Sequence, residues 1–358
     1  MTVKIAVGLS GGVDSAVAAL LLKREGCEVV GVTMKLWREG HYKGGDRDAC
    51  FGPGEEKDIA AAESFAAMLG IDYRVFDCSE EYERIVLGYF RDERRTGRTP
   101  NPCVVCNRKL KFGLLPEMAA RQMDFDGFAT GHYARRVEVG GRLAVARAAD
   151  ESKDQSYFLW NLTQEQLRRV MFPLGRLTKA EVRRIAHEAG LVMADKPDSQ
   201  DFYSGDANEI VGKEDVEGRI VTLDGRTLGR HNGFWHYTVG QRQGLGIGGG
   251  TPYYVVRLDA CRNEVVVGRR EEAFSREFAV HGLNWQGAEP TEEPVEGFVK
   301  IRSSGRPAGP VTLERGVVRA PDGLFGVAPG QSAVLYSADG TILCGGTIGE
   351  PGPSSLGR

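Results

Sequence analysis

The stretch "KIAVGLSGGVDSAVAALLLKREG", Lys4–Gly26, decides the fold. "KIAVGL" is a short continuous apolar run, the pattern of a strand buried on both faces. "SAVAALLLKREG" reads as a helix that glycine stops at Gly26. Between them lies a glycine-rich turn. Glycines let the backbone approach a ligand closely and turn N–H groups inward. The helix N-terminus adds partial positive charge, and Ser10 and Ser15 add hydroxyls. Such a strand–turn–helix makes a polyphosphate pocket. It is not a Walker A loop, because the G-K-[ST] ending is absent.

Outward from this stretch the alternation continues. "EVVGVTM" (28–34), "YRVFDC" and "GFATGHYA" supply strands, and "EEKDIAAAESFAAMLG" (55–70) supplies a helix. Alternating strand and helix predicts an α/β domain, a parallel sheet with helices on both faces. Thr178 with Glu181 forms a capping box before another helix. After about Leu191 the pattern changes. From Gly218 onward, short β-branched runs are separated by turn residues, including the Asp-Gly pairs at Asp224 and Asp339. Small β domains are therefore expected after the α/β domain. The expected boundaries are 1–204, 205–272 and 273–350, with a flexible tail at 351–358.

The chain has 358 residues, 41% hydrophobic and 27% charged, which fits a multidomain globular protein. No run approaches the roughly 18 apolar residues of a membrane span, and the N-terminus lacks signal-peptide features. Seven cysteines without an export signal point to a reducing cytosol. A cytoplasmic protein is expected. The net charge of −3 does not suggest a nucleic-acid binder, but its distribution is uneven. Arg84, Arg91, Arg94, Arg95, Arg98, Arg108, Lys109 and Lys111 lie within one segment, against Asp92 and Glu93. That segment reads either as a solvated face or as a phosphate-binding patch. It also holds "NPCVVCN", whose Cys103 and Cys106 are expected in a loop. A C-x-x-C can ligate a metal, form a redox disulfide, carry sulfur or fill a core.

Ser10–Ser15, S-G-G-V-D-S, resembles the pyrophosphatase loop of the ATP-pyrophosphatase superfamily. "TMKLW" (33–37), "GRTPNPCVVCNRKLKFG" (97–113), "ATGHYAR" (129–135), "KDQSYFL" (153–159), "PLGRLTKAEVRRIA" (173–186) and "YTVGQRQGLGIGG" (237–249) follow in order. Together they resemble the tRNA-specific 2-thiouridylase family, from residue 3 to about 347. The resemblance implies ATP with Mg²⁺ held by Gly8, Leu9, Ser10, Gly11, Gly12, Val13, Asp14, Ser15, Met34 and Gly131. It implies contacts to tRNA from Asn101, Pro102, Cys103, His132, Lys153, Asp154, Gln155, Arg302, Ser303 and Gln331, with Cys106 as nucleophile. The substrate would be a wobble-uridine tRNA of the Lys, Glu or Gln type. Sulfur would come from a cysteine desulfurase, a relay protein or sulfide. Read by their chemistry alone, His132 is also an ordinary strand-end histidine and Lys153–Gln155 a solvated loop. Cationic neighbours of Cys106 are expected to lower its pKa.

The sequence departs from the family at one point. Many members carry a second catalytic cysteine where "KPDSQDFYSGD" (196–206) has Tyr203. Tyr203 would fill space or stack on a flipped base. Three readings are open. Cys103 and Cys106 act as the sulfur pair; or Cys50, Cys103 and Cys106 hold a 4Fe–4S cluster with one open iron; or the protein binds and adenylates tRNA without sulfur transfer. An amide ligase of the same superfamily is a further alternative, against which the tRNA-type motifs stand.

Overall fold

The structure is a computed structural model and describes residues 2–45, 49–191, 201–248, 250 and 252–350. Its first part is a five-stranded parallel sheet of β1 (Lys4–Gly8), β2 (Glu28–Lys35), β4 (Asp72–Asp77), β5 (Gly127–Thr130) and β8 (Val170–Met171), in the order β4-β2-β1-β5-β8. The run of Val, Ile and Ala in β1 is buried because helices cover both faces. Helix α1 (Val13–Arg24) buries eight of its twelve residues, so it needs no polar stripe. Helix α2 (Glu55–Leu69) closes on Gly70 at φ 59°. All five strands run the same way, but from β1 the chain adds β2 and β4 on one side and then returns to add β5 and β8 on the other, so the strand order reverses beside β1. A crevice therefore opens at the carboxyl ends of these strands, where such sheets bind ligands.

Two features depart from the sequence reading. The C-x-x-C is helical rather than in a loop. Pro102–Cys106 is α-helix, and Asn107–Leu114 continues it with widened, i→i+5 turns into Leu115–Ala120. Pro102 starts that helix because its missing N–H is unneeded in the first turn. The second feature is a short parallel pair, β3 (Ala49–Phe51) with β9 (Asp201–Tyr203), in which Phe51 faces Tyr203. A hairpin of β6 (Ala134–Val139) and β7 (Arg142–Arg147) also leaves the sheet beside β5.

The remainder is β. A four-stranded sheet is formed by β10 (Gly218–Thr222), β11 (Thr227–His231), β12 (Tyr254–Asp259) and β13 (Glu264–Gly268). Six strands then close a barrel: β14 (Phe274–Trp285), β15 (Val295–Lys300), β16 (Ala308–Glu314), β17 (Val317–Phe325), β18 (Ser332–Tyr336) and β19 (Ile342–Ile348). Closure removes exposed edges. The expected turns are present, with Gly225 and Gly340 at φ 84° and 81°. The α/β fold followed by small β domains is as the sequence implied. The expected tail at 351–358 lies outside the described residues.

Candidate active site

The phosphate loop is shaped by close backbone packing. The Ser10 N–H donates to Ser15 Oγ at 3.1 Å, and Ser15 Oγ donates to the Gly12 carbonyl at 3.0 Å. Gly11 sits at φ 70°, and a Cβ there would lie 2.3 Å from the Asp58 carbonyl oxygen of α2. Gly131, just past β5, packs equally tightly; its Cβ would fall 2.6 Å from Ser15 N. Only glycine fits at either position. Leu9 continues the ladder by donating its N–H to Val32 O, and Thr33 Oγ1 donates to Leu9 O. Met34 follows, partly buried against the core. The expected nucleotide residues are thus gathered at one strand end.

Sequence reasoning missed two partners of this loop. Lys179 Nζ lies 2.7 Å from Asp14 Oδ1, and the Tyr133 hydroxyl donates to the same carboxylate at 2.8 Å. Lys179 is the first residue of the helix capped by Thr178, and the capping box holds that turn in place. The signal was present in "LTKAEV", but only the folded chain brings it 165 positions back to Asp14.

The thiols sit on the helix that Pro102 begins. Cys103 and Cys106 are three apart on one helix, hence on one face. Burial pushes the Cys106 thiol up to about 11; the charge of Lys111 opposes the shift and that of Cys50 adds to it. The expected lowering by neighbouring cations is therefore corrected. Arg98 pairs with Glu93, Arg108 bonds to the Asn161 carbonyl, and Lys109 is exposed. Tyr82 is buried, and its hydroxyl feels Cys106, Cys50 and Cys103 together. The three thiols thus share one neighbourhood. They do not form a ligand set: among the described residues no three His, Cys, Asp or Glu side chains are grouped to hold a metal ion.

The thiol helix and the phosphate loop meet beside Gly131. The next residue, His132, is buried between Phe112 and Phe172, with ring centroids 5.6 and 6.2 Å away. Its Nδ1 lies 2.7 Å from Thr130 Oγ1, and burial holds its pKa well below the usual histidine value. His132 is a neutral packing residue here. Asn101 is buried, its amide 3.4 Å from Ser332 Oγ in the barrel. Pro102 is buried beside it. Asp154 is almost fully enclosed and accepts from Ala148 N, Ser156 N and Ser156 Oγ. Gln155 Oε1 accepts from Tyr133 N. Gln331 donates to the carbonyls of Thr99 and Pro100, just ahead of the C-x-x-C. Arg302 donates to the Phe325 carbonyl, Lys153 is partly exposed and Ser303 exposed. Tyr203 is buried against Phe51 and Tyr42, donates to Glu209 and accepts from Gly44 N. It fills space and is not presented to a base. Residues 196–200 of the same stretch lie outside the described residues.

The basic segment behaves differently from a phosphate patch. Arg91, Arg94 and Arg95 donate to the carbonyls of Ile210, Tyr237 and Val211, and Arg98 to that of Ile348. These guanidinium groups staple the helical segment to both β parts. Arg84 and Lys109 are the exposed cations of the stretch.

Comparison with known proteins agrees in extent. The family described as "tRNA methyl transferase HUP domain" matches residues 3–203. A "PRC-barrel domain" of the same family matches 208–269, and an "Aminomethyltransferase beta-barrel domain" matches 275–348. A tRNA-specific 2-thiouridylase MnmA of Endomicrobium trichonymphae is 45% identical over 96% of this chain and 98% of its own. Those of Rhizorhabdus wittichii and Brucella melitensis are 45% and 42% identical, covering 99% and 97% of this chain and 93% and 90% of theirs. No helix among the described residues is long and apolar enough to cross a membrane.

Proposed function

From the premise that this chain belongs to the tRNA-specific 2-thiouridylase family, we infer an ATP-dependent tRNA sulfurtransferase acting on C2 of the wobble uridine. The observation that carries the reading is the junction at Gly131–His132. One residue seals the phosphate loop and the next packs on the helix that bears Cys106.

Uridine O2 is a poor leaving group. With ATP held along Gly8–Ser15, Met34 and Gly131, O2 attacks the α-phosphorus and pyrophosphate leaves. The adenylated uridine then has AMP as leaving group at C2. Magnesium enters as the counter-ion of the triphosphate and needs few protein ligands. The terminal sulfur of a Cys106 persulfide attacks C2 and expels AMP. The Cys103 thiolate attacks Cys106 Sγ, which releases 2-thiouridine and leaves a Cys103–Cys106 disulfide. A dithiol reductant returns the pair to thiols. The i,i+3 spacing on one helix face supports Cys103 in this role.

For tRNA, the partly exposed Lys153 and Arg302 and the exposed Ser303 are the contact candidates. Asn101, His132, Asp154, Gln155 and Gln331 hold the segments that present them. The working domains are 1–204, 205–272 and 273–350, and the protein acts in the cytoplasm on tRNAs of the Lys, Glu or Gln type. With a charged cysteine desulfurase as donor, Cys106→Ser is expected to abolish thiolation of an anticodon stem-loop transcript while ATP–pyrophosphate turnover largely survives. Retained thiolation overturns the nucleophile assignment. If the wild-type protein adenylates tRNA yet never thiolates it with sulfide, the adenylating protein without sulfur transfer is the correct reading.

A further inference from the structure

Sulfur must reach Cys106 before it can reach the base. Cys106 is only partly exposed, and its thiol is held protonated by burial. A protein-borne persulfide needs an accessible thiol to attack it. Two cysteines are exposed, Cys50 and Cys261. Cys261 lies in the turn between β12 and β13.

Cys50 is placed differently. It is the middle residue of β3, whose neighbours alternate: Phe51 is buried and Cys50 is exposed. Phe51 packs on Tyr82 with ring centroids 5.0 Å apart, the helix of Cys103 and Cys106 packs on Glu83–Leu87, the turn that follows Tyr82, and the charges of Cys106, Cys50 and Cys103 all reach that tyrosine's hydroxyl. The β3–β9 register also sets Cys50 beside Phe202 and Tyr203, the segment that lacks a cysteine of its own. One exposed thiol and two on the neighbouring helix therefore lie within electrostatic reach of one buried tyrosine.

We propose that Cys50 is the entry thiol, accepting sulfane sulfur from a persulfide donor at the surface and passing it inward to Cys106. This rests on the assignment of Cys106 as nucleophile. In the first step the Cys50 thiolate attacks the terminal sulfur of the donor persulfide. A Cys50 persulfide forms and the donor leaves as a thiol. In the second, the Cys106 thiolate attacks the terminal sulfur on Cys50, the S–S bond breaks, and Cys50 regains a thiol. Both steps are sulfur exchanges without net oxidation, so neither consumes a reductant. Lys111, whose charge favours the Cys106 thiolate, assists the second step.

The test uses the full-length protein, ATP and an anticodon stem-loop transcript with two sulfur sources. One is a cysteine desulfurase charged with cysteine, which presents a protein-bound persulfide; the other is inorganic sulfide, which attacks C2 of the adenylated uridine itself, expels AMP and needs no thiol carrier. Cys50→Ser is expected to raise the ratio of sulfide-supported to persulfide-supported thiolation by at least about tenfold over wild type. In Cys106→Ser protein, mass spectrometry of the charged enzyme should find one extra sulfur on the peptide containing Cys50. Cys261→Ser should leave the donor ratio as in wild type. The proposal is overturned if Cys50→Ser keeps the wild-type ratio, or if Cys106 acquires its persulfide at the wild-type rate in that variant. A wild-type protein that thiolates with neither source would instead sink the thiouridylase reading beneath it.

Discussion

Cys106 stands between opposed influences. Burial holds its thiol protonated, up to about 11, and Lys111 draws the value down without reversing the shift. The thiolate is the reactive form, so below the pKa its amount rises tenfold with each pH unit. Alkylation of Cys106 by iodoacetamide, followed by peptide mass spectrometry, should accelerate about tenfold per unit from pH 7 to 10. A rate that levels off near pH 8 would contradict this. Lys111→Met should slow the reaction throughout that range, since loss of the cation pushes the thiol higher still. This balance was not legible in the sequence. Arg98, Arg108 and Lys109 are near Cys106 along the chain, but the helix turns them elsewhere. Proximity in sequence measured chain distance, whereas a pKa responds to distance in space and to burial. That Tyr203 itself offers no thiol, by contrast, is plain from the sequence, because no fold makes a phenol carry sulfur.

At the scale of elements, the strand–turn–helix of Lys4–Gly26 was readable because each part is local: an apolar run, glycines, and a helix that a glycine ends. What the turn's glycines do was less readable. Gly11 and Gly12 are adjacent and look interchangeable. A Cβ on Gly11 would strike the Asp58 backbone, while one on Gly12 would meet only Ser10 Oγ at 3.6 Å. Gly11→Ala should lower unfolding free energy by about 1–3 kcal/mol, through strain at positive φ and displacement of α2. Gly12→Ala should stay within about 0.5–1 kcal/mol of wild type. Denaturant unfolding of the two variants distinguishes them, and equal losses would argue against the packing of α2 on the loop. The β3–β9 pair escaped sequence reading for another reason. Three-residue strands carry too few positions for alternation to register, and their pairing spans some 150 residues of chain.

At the scale of the molecule, the segment before the thiols is held from the opposite end of the chain. The Thr99 N–H donates to Pro329 O at 2.7 Å, and Gly330 lies so close that a Cβ would meet Thr99 O at 2.8 Å. Gln331 completes the clasp: its amide donates to Pro100 O at 2.9 Å while the Tyr157 hydroxyl donates to its oxygen. Deep in the same seam, Gln286 accepts from Val145 N and donates to the carbonyls of Leu159 and Trp160. Gln331→Ala removes a bond to a backbone carbonyl, worth about 1 kcal/mol and more where the partner is left dry. It should slow thiolation about tenfold with ATP affinity unchanged, as read by transcript thiolation beside nucleotide titration. A fall in ATP affinity would mean that the clasp also supports the phosphate loop. Neither the clasp nor the arginine staples could be anticipated, since a glutamine or arginine aimed at a distant carbonyl leaves no periodic trace.

The clasp has a consequence in time. Ribosomes deliver a chain from its N-terminus, and domains fold as they emerge. The phosphate loop and the helix of Cys103 and Cys106 are made first, but Pro329, Gly330 and Gln331 arrive only after more than two hundred further residues. Until the barrel closes, the bonds from Pro329 and Gln331 to Thr99 and Pro100 are missing, so an unfinished chain has the segment before its thiols held only by local bonds while its nucleotide loop is already folded. Synthesis order thereby delays the reactive segment until the barrel is present.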